Sequence, residues 1–121
     1  MTASNPNNRN LAINYIEFVV RDLPRAKAFY AEAFDWSFTD YGPDYAEFSD
    51  GAMKGGLTTL GTAQPAGGPL VILYADDLGE AQRRVEAAGG TIVKPAYAFP
   101  GGRRFHFGDV DGHELAVWST N

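Results

Sequence analysis

The sequence predicts an α+β fold of two βαβββ modules enclosing a shared space, and three observations carry that reading. The stretch Ile16 to Ala33 is echoed 55 residues later, with Asp22-Leu23 returning as Asp77-Leu78, Ala26 as Ala81 and Ala33 as Ala88. The apolar positions Ile16, Phe18 and Val20 return as Val71, Leu73 and Ala75. A Gly/Pro-rich run, residues 61–68 (GTAQPAGG), separates the copies and reads as a linker. A unit of this size cannot bury its own apolar face well, so the two halves are expected to combine.

Residues 1–10 (MTASNPNNRN) are polar and asparagine-rich and read as a disordered tail. A strand is predicted over 12–20, with Ile16, Phe18 and Val20 on one face and Tyr15, Glu17 and Val19 on the other. Asp22 is placed to cap a helix with Pro24 in its first turn. Ala26, Phe29, Tyr30, Ala33 and Phe34 form its apolar stripe. Three short strands follow, over 37–41, 45–49 and 55–60, separated by Gly42-Pro43-Asp44 and Asp50-Gly51 turns. The second half repeats the order with a strand over 70–75 and an Asp77 cap with Glu80 three residues on. A helix over 78–88 ends at Gly89-Gly90, and strands follow over 91–96, 104–107 and 114–119. The modules are thus 11–60 and 69–120 of a single domain, 11–121.

At 121 residues, 45% hydrophobic and 13% aromatic, the chain fits one domain with a core and leaves no room for a second. A net charge of -5 repels phosphate backbones and anionic lipid, which argues against nucleic acid and membrane as partners. The absence of cysteine removes disulfides, thiolate zinc sites and cysteine nucleophiles together. No apolar run is long enough to span a bilayer and no export signal is recognisable, so a cytoplasmic location is expected.

Paired βαβββ modules, an aspartate-leucine helix entry in each, Phe29-Tyr30 in the first helix and a Phe-x-Asp-x-Asp-Gly turn at Phe107 to Gly112 resemble the vicinal oxygen chelate superfamily. This group includes glyoxalase I, extradiol dioxygenases, fosfomycin-resistance enzymes and bleomycin-binding proteins. The resemblance covers roughly residues 12–119. Around Asn14-Tyr15-Ile16-Glu17-Phe18 and Tyr41-Gly42-Pro43-Asp44-Tyr45 it is similar to small glyoxalase-like proteins. It implies a curved mixed sheet around a cavity, and a homodimer whose cavities lie at or near the subunit contact.

The resemblance also implies a divalent metal held by His/Glu ligands on the first and last strand of each module. Carried over, those positions fall on Tyr15, Leu70, Ala116 and either Gly55 or Gly56, and none supplies a convincing ligand. The expectation is therefore no metal and no cofactor. A displaced, oxygen-rich site from Glu17, Glu47, His106 and Glu114 is the alternative.

Strand alternation puts Tyr15 with Glu17, Tyr45 with Glu47, Arg104 with His106, and Glu114 with Trp118. These eight are the expected ligand-binding residues, and Glu17 and His106 are the catalytic candidates. Glu17 stands in an otherwise apolar strand, where a carboxylate needs a partner; the structural reading pairs it with Arg103 or Arg104, the functional one with a ligand. His106 is read either as a hydrogen-bonded structural residue or as a proton carrier. Trp36 is expected to pack, and Tyr45, Tyr97 and Trp118 to sit nearer the cavity. The two readings of function are a metal-free protein that sequesters or senses a small, neutral or cationic organic molecule, and a lyase or isomerase of glyoxalase-like type. The enzyme would use a displaced metal or acid-base chemistry by Glu17 with His106 and Tyr15.

Overall fold

The computed structural model describes residues 8–63 and 67–120; residues 1–7 of the expected tail and 64–66 of the linker lie outside the described residues. The elements of the first half are β1 (Tyr15–Val19), α1 (Leu23–Phe34), β2 (Ser37–Asp40), β3 (Tyr45–Ser49) and β4 (Lys54–Thr58). The second half has β5 (Val71–Tyr74), α2 (Leu78–Ala87), β6 (Thr91–Phe99), β7 (Gly102–Gly108) and β8 (Glu114–Ser119). Each half forms a four-stranded mixed sheet, in the orders β1-β4-β3-β2 and β5-β8-β7-β6. β1 runs parallel to β4 and β5 parallel to β8, so β1 and β5 hold equivalent edge positions. The halves are βαβββ as expected. Their sheets remain two, however, because helices and one turn join the modules instead of strand pairing.

Both helices start as their sequences dictate. Asp22 accepts from the Arg25 amide at 3.1 Å and Asp77 from the Glu80 amide at 3.0 Å. The Glu80 carboxylate turns to Arg83, at 2.7 Å, and not back toward the cap. Period-two alternation turns Phe18 and Val20 inward against the buried face of α1, where Phe29, Tyr30 and Ala33 lie. Trp36 is packing, as expected: its ring lies between Tyr30, at 4.5 Å, and Phe48, at 4.3 Å, nearly parallel to both. Phe29 and Phe34 reach Phe107 of the other module at 6.2 and 5.7 Å, so the core is continuous across the repeat.

The strand ends differ from expectation for local reasons. β1 begins at Tyr15 because a turn precedes it, with Ala12 N bonded to Arg9 O at 3.1 Å and Leu11 at φ 68°. β2 and β3 are closed by Tyr41 N to Tyr45 O, and β4 ends where Thr58 Oγ1 accepts from the Leu60 amide at 3.0 Å. β6 continues past Pro95 to Phe99; a register shift between Lys94 and Tyr97 spans the proline, and β6 is an edge strand, where a missing N–H is tolerated. No described helix is long and apolar enough to cross a membrane.

The polar joint between modules is the turn before β8. Buried Asp109 accepts from Tyr30 Oη at 2.6 Å and from the amides of Asp111 and His113 at 2.9 Å each. Asp111 accepts from the Arg21 amide at 2.9 Å, and His113 Nε2 donates to Val19 O at 2.8 Å. Tyr30→Phe keeps the ring and removes one bond to a buried carboxylate. It should lower the stability to urea by about 1.5–3 kcal/mol, with an unchanged denaturant slope.

Candidate functional site

The face of the first sheet turned away from α1 carries four of the expected site residues. Register places Glu17 and Glu47 on either side of Gly56, and Tyr15 beside Lys54. Tyr45 Oη donates to Glu17 Oε2 at 2.7 Å, Tyr15 Oη donates to Glu47 Oε2 at 3.2 Å, and the two phenolic oxygens lie 3.0 Å apart. Lys54 Nζ stands 3.8 Å from Glu47 Oε1. The cluster exists because position 56 is glycine: a Cβ there would collide with Tyr45 Oη and press on Tyr15 Oη. Glu47 is buried, whereas Glu17 is exposed. Its partner is a tyrosine and not Arg103 or Arg104, whose hydrogen bonds go to Ala96 O and Tyr97.

Burial, followed by hydrogen bonding to Tyr15 and Glu17, pushes the Tyr45 phenol far above the ordinary tyrosine range. Burial also raises Tyr15, with the Glu47 charge adding to it and the bond to Tyr45 opposing it. Both phenols are therefore protonated donors at neutral pH.

The second sheet presents the other four residues on its corresponding face. His106 is 3% exposed and uses both ring nitrogens, Nδ1 with Glu114 Oε2 at 2.8 Å and Nε2 with Tyr97 Oη at 2.9 Å. In the tautomer whose Nδ1–H is donated to the carboxylate, Nε2 accepts a hydrogen bond from the Tyr97 hydroxyl. His106 accordingly reaches a ligand only through Tyr97 or Glu114. Arg104 Nε donates to Tyr97 Oη, and its guanidinium lies 5.5 Å from the Tyr97 ring centre and 5.8 Å from that of Phe99. Trp118 packs edge-on between Phe99, at 6.0 Å, and Tyr74, at 5.1 Å.

A cleft of about 760 Å³ separates the modules, bordered by Glu17 and Val19 of β1, Leu70, Val71, His113 and Glu114. Of the eight expected site residues it brings together Glu17 and Glu114, each braced from behind by its own network. The other six stand back from it, three in each sheet. Tyr97 was outside the expected binding set although it links Arg104 to His106. Its two-residue spacing from Phe99 was the available signal, obscured by ending the strand at Ala96. Among the described residues no three His, Asp or Glu side chains are grouped so as to hold a metal. The carried-over positions bring a phenol, a glycine, Leu70 and Ala116, so within one chain the residues do not fit a divalent cation.

Two βαβββ modules with a cleft between their first strands, apolar in most of its lining and acidic at Glu17 and Glu114, define a protein of the paired-module class. The sequence pattern of the Glyoxalase/Bleomycin resistance protein/Dioxygenase superfamily matches residues 12–117, and the chain belongs to that superfamily. No curated protein matches it. Among solved structures it resembles a glyoxalase-related enzyme from Fulvimarina pelagi, with a TM-score of 0.75 and 21% identity over 90% of this chain and 88% of that one. It also resembles a mutant of the fosfomycin resistance protein FosX from Listeria monocytogenes, complexed with manganese(II) and dihydroxypropylphosphonic acid. There the TM-score is 0.78, with 19% identity over 91% and 90% of the two chains. TioX from Micromonospora gives a TM-score of 0.73 and 24% identity over 91% of this chain and 99% of that one. At these identities the likeness is one of fold.

Raised phenol values have a definite pH consequence. Folding favours the protonated form of Tyr15, Tyr30 and Tyr45, in each case chiefly through burial. Their contribution to stability is full below an unfolded tyrosine's pKa of about 10 and is lost as pH rises from there through the raised folded values. Ultraviolet titration should show these three of the six tyrosines resisting ionisation until the fold melts. Early, reversible ionisation of all six would contradict the bonding described.

Proposed function

We propose that the protein binds a small organic molecule, without a metal, in the cleft between Glu17 and Glu114, and that it sequesters or senses this ligand. The observation that carries the reading is the proton balance of the first-sheet cluster. Tyr15 and Lys54 attend to Glu47, whereas Glu17, the member of the cluster that lines the cleft, receives one described donor, the Tyr45 hydroxyl, and keeps acceptor capacity for a ligand. A neutral donor or a cation supplies what is missing, and the charge of -5 favours its approach. Ile16, Phe18, Val19, Leu70 and Val71 give the same cleft an apolar lining for the rest of the ligand.

The binding protein is a homodimer in this reading. Edge strands β1 and β5 each leave one side unpaired, and apolar residues stand exposed at both: Leu11 and Ile13 ahead of β1, Ile72 and Tyr74 on β5. A second copy covers these edges by symmetry. Sedimentation should give a dimer at micromolar concentration, and Ile72→Lys should shift it toward monomer; a monomer at high concentration refutes the assembly.

The ligand test is a thermal-shift screen of small amines and neutral heteroaromatics, run beside Mn, Ni and Zn salts. A compound at a hundredfold its dissociation constant adds about 2.7 kcal/mol, a rise of several degrees for a domain of this length. Glu17→Gln should weaken a hit several-fold. A metal-dependent rise with no response to organic compounds would overturn the proposal. One observation favours the enzyme reading, a lyase or isomerase: the Glu114–His106–Tyr97 chain has the carboxylate, imidazole and hydroxyl order of an acid-base relay. Conversion of a screened compound, lost in His106→Gln, would decide for it.

A further inference from the structure

Arg104 stands apart from the cleft. Glu114 pairs with Gly108 at the far end of β7, four residues from Arg104, which is roughly 13 Å along an extended strand. The guanidinium is fixed on three counts: Nε is used by Tyr97 Oη, and two aromatic rings, Tyr97 and Phe99, flank its charge. Its terminal Nη groups have no hydrogen-bond partner among the described residues, and the side chain is only partly buried. An arginine held by its Nε edge and stacked in this way offers a planar, two-donor fork that has already lost its rotamer freedom.

The surroundings say what the fork would take. Trp118 lies directly across the ladder from Arg104, and Phe99, Trp118 and Tyr74 continue as a row of rings along the same face. Trp118 is half-buried, and Tyr74, on the β5 edge that a second copy covers in the proposed dimer, closes the far end of the row. A flat apolar shelf beside a bidentate cation matches a planar organic acid: ring on the shelf, carboxylate on the fork. A single guanidinium suits one negative charge better than a phosphate's two. The next cation on this face is Lys94, opposite His106 and therefore two positions along.

We propose that Arg104, braced by Tyr97 and Phe99 and flanked by Trp118, forms a binding subsite for the carboxylate of a planar aromatic acid. This subsite is separate from the Glu17–Glu114 cleft and stands whether or not the cleft binds a cation.

The experiment uses 1-naphthoate, with the neutral isostere 1-naphthalenemethanol, added to the full chain while tryptophan emission is followed. Of the two tryptophans, Trp36 is buried in the core, so a response reports Trp118, and Trp118→Phe should remove it. Saturable quenching by naphthoate, at least tenfold stronger than by the alcohol and weakened at least tenfold in Arg104→Gln, is the expected result. Arg104→Lys keeps the charge without the fork and should recover only part of the affinity; Tyr97→Phe frees Nε and should weaken binding a few-fold. Equal binding of acid and alcohol overturns the proposal, as does a naphthoate affinity indifferent to Arg104→Gln, or no quenching by naphthoate at all. The comparison of acid with alcohol needs no variant, so a poorly folding substitution does not blunt it. Benzylamine, tested in parallel on wild type and Glu17→Gln, reports the cleft alone and keeps failure of the two sites distinct.

Discussion

The arrangement of the molecule depends on one buried carboxylate. Asp109 gathers a phenol from α1 and two amides of its own turn, and that turn in turn holds the Arg21 amide and the Val19 carbonyl of the first module. A carboxyl group in so dry a place is tolerable because three short hydrogen bonds satisfy its oxygens. The geometry of the cleft follows. His113, which grips the end of β1, is the immediate neighbour of Glu114, and Val19, which it grips, lies two residues beyond Glu17. The two acidic walls are therefore set by the same clamp that unites the halves.

The repeat, the helix caps and the inward faces were legible in the sequence because each obeys a local rule. Asp22 and Asp77 cap by contact with residues three ahead, and the pattern Phe18/Val20 needs only strand alternation. What was not legible depends on distant neighbours. The turn at Asp109 was visible as a turn, but nothing local announced that Tyr30, 79 residues earlier, would donate to it. Glu17 stood out as a carboxylate in need of a partner, but that the partner is Tyr45, 28 residues on, depends on a pairing of strands that only the fold reveals. The strand read over 91–96 runs on to Phe99, because an edge position and register shifts that only pairing reveals let β6 carry Pro95.

The glycines at 55 and 56 show how the first sheet makes room for its cluster. A side chain at 55 would run into Ile16 O and the Phe48 ring, and one at 56 into the hydroxyl of Tyr45. Space vacated on β4 is thus filled from β1 and β3 by phenols whose oxygens meet above it. The second sheet has no such gap. Ala116 lies beneath His106 there, and the imidazole is held between a carboxylate and a phenol. The same architecture therefore offers an acceptor-rich face in one half and a guanidinium set among rings in the other.

The junction of the helices shows how far the halves have become interdependent. α1 has no basic residue in its last turn and finishes at Asp35 in a left-handed conformation, with φ 60°. Arg84 of α2 supplies the missing cation, bonding Glu32 O and Asp35 Oδ2 at 3.1 Å each. The same guanidinium sits in the last turn of its own helix, so one charge steadies the negative poles of both dipoles. Severed at the linker, the amino-terminal half would lose the counter-charge at the end of its helix, together with the aspartate that receives the Tyr30 hydroxyl. What began as a duplicated segment is no longer divisible into two self-sufficient pieces.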